Sequence, residues 1–199
     1  RQVYKDLNIG TGKITKKEML GIPHHMLDVV SPKKVFSVAE WKKQTEKIIL
    51  EIISRDRLPI ICGGTGFYIQ SIVDNIVLPE VPPNVKLREK LEKKTAHELF
   101  SILKKLDPRR AKMIAKENGS ENPVRLIRAI EIATFLGKVP EMKKKKSQYQ
   151  FLQIGLTLPD KDLKDRIYKR LLFRIQAGMI REVKNLHKKS LSWKRMREL

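Results

Sequence analysis

The apolar positions of this chain change period several times, and each change marks a predicted element. Residues 1–17 are polar, carry glycine and lack a helical period, which predicts a loop with short turns around Ile9-Gly10-Thr11-Gly12. Met26 to Val30 is short, partly β-branched and ends before Ser31-Pro32, so it predicts a strand. After Ser37, the residues Val38, Trp41, Thr45, Ile48, Ile49, Ile52 and Ile53 mark one face of a helix that ends near Ser54-Arg55-Asp56. Glu40 stands three residues after Ser37, the pattern of a capping box. The run Leu58 to Cys62 predicts a buried strand. It leads into Gly63-Gly64-Thr65-Gly66 and then a helix carrying Phe67, Tyr68, Ile69, Ile72 and Val73. Strand, helix, strand, glycine turn, helix is the order of an α/β protein with a parallel sheet.

The prolines of Leu78-Pro79-Glu80-Val81-Pro82-Pro83 interrupt this order and predict a domain boundary. From Asn84 to Gly137 the period is helical. Asp107-Pro108 and Asn122-Pro123 each place proline at a first helical position. Phe151 to Leu158 predicts a further strand, and one long helix is expected from about Asp160 to Lys188. The expected organisation is an α/β core of residues 1–78 and 148–199. A helical insertion of residues 79–147 interrupts it and closes on the basic linker Lys143 to Lys146.

Composition adds a partner class. Lys and Arg number 43 against 22 Asp and Glu, a formal charge of +21, and such an excess points to a polyanion. No apolar run is long enough to span a bilayer, so no membrane partner is expected. Cys62 is the single cysteine, which rules out an internal disulfide framework and fits a reducing compartment. Its place in an apolar run predicts a small buried core residue.

Candidate chemistry is modest motif by motif. The Gly63–Gly66 turn between a strand and a helix presents backbone N–H groups and the Thr65 hydroxyl to an anion, although a tight turn capped by threonine explains the same residues. His24 and His25 are adjacent on an extended segment, so they point to opposite faces and do not share an ion. No carboxylate or cysteine cluster stands at ligand spacing, and no metal ligand is assigned. Arg125 and Arg128 lie on adjacent turns and can face phosphates together, or pair with Glu131 on a solvated face. Arg166, Arg170 and Arg174 form a helical stripe of permanent charge suited to a diphosphate. No G-x-x-x-x-G-K-[ST] loop occurs.

In order and together, these motifs resemble the tRNA dimethylallyltransferase family. Arg1-Gln2-Val3-Tyr4-Lys5 with Ile9-Gly10-Thr11 is similar to the family's D-S-R-Q-V-Y-K-G-L-D-I-G-T-A-K. Gly21 to Asp28 resembles G-x-P-H-H-L-I-D, and Phe36 to Glu40 resembles F-S-V-A-E/D. Gly63 to Tyr68 resembles G-G-T-G-L-Y, and Arg125 to Glu131 resembles R-L-I-R-A-L-E. Asp165-Arg166-Ile167 with Ala177 to Val183 resembles E-R-I…AG-L-x-E-E-V, and Leu191 to Lys194 resembles a later G-Y-K/R segment.

The resemblance implies a P-loop NTPase-like parallel sheet core with a helical insertion that grips the tRNA anticodon arm. It implies dimethylallyl diphosphate as donor, Mg²⁺ as cofactor, and transfer to the exocyclic amine of the adenosine 3′ of the anticodon. A cytoplasmic protein and a monomer are expected. By residue, the resemblance implies tRNA contacts at Arg1, Gln2, Thr65, Arg88 or Lys86, Val124, Arg125, Leu126, Ile127, Arg128, Trp193 and Lys194. Arg166 and Thr65 carry the catalytic expectation, and Arg166 and Arg170 the diphosphate. The family's P-loop and its general-base aspartate are expected before Arg1, so the chain is expected to be an inactive fragment. Asp6, Asn8, Gly12 and Ile14 depart from the family's Gly, Asp, Ala and Pro. Three other readings use the same residues: an adenylate isopentenyltransferase acting on free nucleotide, a non-catalytic RNA-binding module, and a P-loop kinase. The charge excess and the Arg125/Arg128 pair weigh against the first, and the glycine turn after a buried strand weighs against the second.

Overall fold

The computed structural model describes residues 1–141 and 146–199. Lys143 to Lys145 of the expected basic linker lie outside the described residues. The chain divides into two units, Arg1–Val73 with Ser147–Leu199, and Asp74–Lys146.

The first unit begins with irregular chain through residue 36, then α1 (Val38–Ser54) and α2 (Gly66–Val73). The capping box forms as expected: the Ser37 hydroxyl accepts from the Glu40 N–H, and the Glu40 carboxylate accepts from the Ser37 N–H at 2.8 Å. Trp41 and Ile49 are buried on the α1 face that the period marks out, and Trp41 stacks on Tyr68 of α2 with ring centroids 4.6 Å apart. The later part of this unit is helical: α7 (Asp160–Gln176), α8 (Met179–Lys188) and α9 (Trp193–Glu198). Tyr4, Leu7, Phe36, Trp41, Ile49, Ile72, Leu186 and Leu191 form its buried cluster.

The single long helix expected from 160 to 188 is two helices. The chain breaks at Ala177-Gly178, where Gly178 takes φ +103°, a left-handed conformation that costs glycine little and other residues more. The expected sheet is also not seen. Among the described residues, strand pairing is limited to isolated bridges: Tyr4 pairs in parallel with Val30, and Ile76 is a further bridge residue. Leu58 to Cys62 and Phe151 to Leu158 are irregular; Leu58 is 84% exposed and Leu156 96%. Cys62, expected in the core, is exposed with them. A parallel strand is buried by its neighbours; here Ile61 packs, partly buried, against the cluster, while most of the rest of these runs stands exposed.

The second unit holds α3 (Val85–Leu91), α4 (Ala96–Leu106), α5 (Pro108–Lys116) and α6 (Pro123–Leu136). Each start has a side-chain cap: Asn84, Thr95, Asp107 and Asn122 accept from the N–H three residues on. Pro108 and Pro123 occupy first helical positions, where a missing N–H costs no hydrogen bond. Leu99, Leu103, Ile114, Leu126 and Ile130 are essentially inaccessible and form the centre of a continuous apolar core.

Candidate functional site

In the first unit, the loop that carries Arg1 and Gln2 is fastened from two sides. The Glu182 carboxylate on α8 accepts three consecutive backbone N–H groups, from Asn8 at 2.8 Å, Ile9 at 2.8 Å and Gly10 at 3.0 Å. Arg174 on α7 donates to the Gly10 carbonyl at 3.1 Å. Gly12 sits at φ +59°, and a Cβ there would lie 2.0 Å from Arg174 Nη2. Glycine in place of the family's alanine therefore leaves room for this arginine. The Gly12 carbonyl in turn accepts from Gln2 Nε2 at 2.9 Å. Lys13 donates to the Tyr4 carbonyl at 2.7 Å and pairs with Asp28. Beside Glu182 lies a cleft of about 320 Å³ lined by Asn8, Ile9, Gly178, Arg181 and Asn185, among others.

The remaining expected residues of this unit lie on its surface. Arg1 donates to the Glu198 carbonyl of α9. Trp193 is half exposed and stacks on His187, with centroids 4.3 Å apart, and Lys194 follows it on α9. Thr65 stands exposed one residue before α2, and its carbonyl accepts from Tyr68 at 2.9 Å. Arg166 and Arg170 are exposed on α7, where no residue is buried, whereas Arg174 of the same stripe is drawn to Gly10.

In the second unit, the expected cationic group converges on one buried carboxylate. Glu131 is 2% exposed. Arg88 grips it with two parallel bonds, Nε to Oε1 at 2.8 Å and Nη2 to Oε2 at 2.7 Å. Arg128 donates to Glu131 and to the Val81 carbonyl at 2.9 Å, and the Asn84 N–H adds a bond at 2.6 Å. Burial alone raises the Glu131 pKa, but these donors outweigh it and hold the group at about 2. Arg88 and Arg128 therefore already have a partner inside the unit. Arg125 pairs with Glu117 and stays partly exposed, and Val124 is exposed beside it. Leu126 and Ile127 are buried, so their side chains serve the core and offer no surface to RNA. Asp107 joins two segments: it accepts from the Arg110 N–H at 2.9 Å and the Val139 N–H at 2.8 Å. Burial opposes its ionisation, and those two bonds with Arg109 hold its pKa below the ordinary value.

Glu182, Arg174 as a loop clamp, and Glu131 as a hub were not among the expected site residues. Glu182 and Arg174 lie in or beside the matched α7–α8 segment, but 162 or more residues of sequence separate them from the loop they hold, and no local period reports such a contact. Glu131 stood in the sequence reading only as an ion-pair partner. Among the described residues, no group of three His, Cys, Asp or Glu is placed to hold a metal ion.

Comparison with known proteins identifies the group to which this arrangement belongs. The IPP transferase family model matches residues 2–199, and the chain belongs to that family. It is 38% identical over 194 residues to the tRNA dimethylallyltransferase of Halothermothrix orenii, covering 93% of this chain and 58% of that protein. It is 42% identical over 194 residues to the tRNA dimethylallyltransferase of Anoxybacillus flavithermus, covering 96% and 61%. The chain thus spans about three-fifths of the length of the curated relatives it matches. Among solved structures, the full-length tRNA isopentenylpyrophosphate transferase of Bacillus halodurans matches with TM-score 0.60 at 35% identity, covering 94% of this chain and 59% of that one. A eukaryotic dimethylallyltransferase acting on tRNA matches with TM-score 0.70 at 27% identity, covering 94% and 48%.

Proposed function

We propose that the protein carrying these residues transfers a dimethylallyl group from dimethylallyl diphosphate to the exocyclic amine of the adenosine 3′ of a tRNA anticodon. The observation that carries this reading is the match of residues 2–199 to the IPP transferase family, with relatives named as tRNA dimethylallyltransferases at 38% and 42% identity. In the reaction, the allylic C–O bond of the donor breaks and diphosphate leaves with the bonding electrons. A C–N bond forms at the adenosine amine, which loses a proton. The amine is shielded inside a stacked anticodon loop, so the base must swing out to be reached.

Residue roles are those the resemblance implies, kept where the side chain is not buried and not already paired with Glu131. Arg166 and Arg170 are free to face the donor diphosphate, where a permanent cation helps most as negative charge grows on the leaving oxygen. Thr65, Gln2, Arg1, Trp193 and Lys194 are assigned to the tRNA from the first unit, and Val124 and Arg125 from the second. The core is read as a P-loop NTPase-like parallel sheet; the likeness to solved isopentenyl- and dimethylallyltransferases supports that reading. The protein is read as a cytoplasmic monomer, where tRNA is met. Among the described residues no helix is long and apolar enough to cross a membrane.

The test is an acceptor comparison. The full-length protein is given dimethylallyl diphosphate with either unmodified tRNA or AMP. The proposed activity prenylates tRNA and leaves AMP unchanged. Transfer to AMP alone would identify an adenylate isopentenyltransferase instead.

A further inference from the structure

We propose that Glu182 is a positioning residue that sets Gln2 for its tRNA contact through the loop 8–12. The inference deepens the functional reading above and rests on it. A carboxylate that accepts three consecutive backbone N–H groups occupies the kind of concavity that successive amides make for an anion. Here the anion is a side chain of α8, far along the chain from the loop. Three charge-assisted bonds fix the backbone of Asn8, Ile9 and Gly10 more firmly than neutral bonds do. Arg174 holds the next peptide of the loop through the Gly10 carbonyl.

The turn carries that constraint onward. The Gly12 N–H donates to the Ile9 carbonyl at 3.0 Å, and the Lys13 N–H to the Asn8 carbonyl at 2.8 Å. The Gly12 carbonyl is then presented to Gln2 Nε2 at 2.9 Å. One side-chain amide hydrogen, and the carbonyl oxygen, of Gln2 remain available to a ligand. Glu182 itself is turned toward the loop backbone, so its influence on tRNA runs through Gln2. The break at Gly178 makes this possible, because it redirects α8 relative to α7 and lets Arg174 and Glu182 reach the same loop.

The experiment is a double-mutant cycle in the full-length protein, using unmodified tRNA and dimethylallyl diphosphate. The variants are Glu182→Gln, Glu182→Ala, Gln2→Ala and the combinations of each with Gln2→Ala. Glu182→Ala and Gln2→Ala should each lower kcat/KM for tRNA by roughly tenfold, with the KM for the donor unchanged within about twofold. The combined variant should be hardly worse than either alone, because one route has been cut twice. Glu182→Gln keeps the size and one acceptor; it should fall between, and its cycle with Gln2→Ala decides the matter if Glu182→Ala does not fold. Amide hydrogen exchange at Asn8, Ile9 and Gly10 should rise in Glu182→Gln, with α1 unchanged. If the losses multiply, or the donor KM shifts with them, Glu182 does not act through Gln2 and the proposal fails while the functional reading stands. If the unsubstituted protein transfers nothing to tRNA, both fail.

Discussion

At the scale of single residues, the second unit turns on Glu131. Its carboxylate is buried, yet three donors keep it ionised, with a pKa lowered from 4.5 to about 2. A depressed carboxylate pKa adds stability that is present above the unfolded value and lost as pH falls through the folded one. The helical unit should therefore weaken as pH drops from about 4.5 toward 2, by on the order of 3 kcal/mol at about 1.4 kcal/mol per pH unit. Circular dichroism melts across that range should show a larger acid-dependent loss in wild type than in Glu131→Gln, where Asp107 still contributes one. Removing the charge strands Arg88 and Arg128, so Glu131→Gln should cost about 3–5 kcal/mol at neutral pH. A variant as stable as wild type would mean that the triad is replaceable by a neutral network. The same geometry changes what an arginine substitution reports. Arg128→Ala should destabilise the unit, and any tRNA defect it shows must be separated from that loss. Arg166 is exposed on α7 and has no such structural duty among the described residues. Arg166→Ala should lower kcat by about 2–4 kcal/mol in transition-state stabilisation with tRNA affinity nearly unchanged, and Lys should restore part of it. Full kcat/KM for the donor in Arg166→Ala would place the diphosphate elsewhere.

At the scale of elements, Asp107 shows how a cap can do more than end a helix. It caps α5 and also satisfies the buried N–H of Val139, 32 residues on. Asp107→Ala should cost about 2–4 kcal/mol, a lost cap plus an unsatisfied buried donor, whereas Thr95→Ala, a cap on an exposed start, should cost about 1 kcal/mol. Equal losses in urea titrations of the two would contradict the double role. The caps were legible in the sequence because they are local: Ser37 with Glu40, Asp107 with Pro108 and Asn122 with Pro123 lie within one turn. The helical period from 84 to 137 was legible for the same reason. The break at Gly178 was hidden inside a continuous apolar period from Leu163 to Ile180. The strands failed differently. An apolar run such as Leu58 to Cys62 states that its side chains favour burial, but not what buries them, because strand pairing joins residues distant in sequence. The site was legible in part. The helical stripe of Arg166, Arg170 and Arg174 could be read from spacing, but that Arg174 turns to Gly10 and Glu182 clamps the 8–12 loop needed the folded chain.

At the scale of the whole molecule, the net charge of +21 is the property that bears most on the partner. Binding to an RNA that neutralises about five phosphates should fall with salt on a log–log slope of roughly −3 to −4. Flat affinity between low and physiological salt would remove the polyanion from the account. Family membership rests on nearly every residue of the chain, whereas the activity belongs to proteins of which this chain spans about three-fifths. The most direct measurement is therefore chemical. Unmodified tRNA is incubated with the full-length protein and dimethylallyl diphosphate, then digested to nucleosides for mass spectrometry. The account predicts one dimethylallyl group on the exocyclic amine of the adenosine 3′ of the anticodon, with diphosphate released in equal amount. Unmodified adenosine at that position, from a protein that is folded and binds the tRNA, would contradict it.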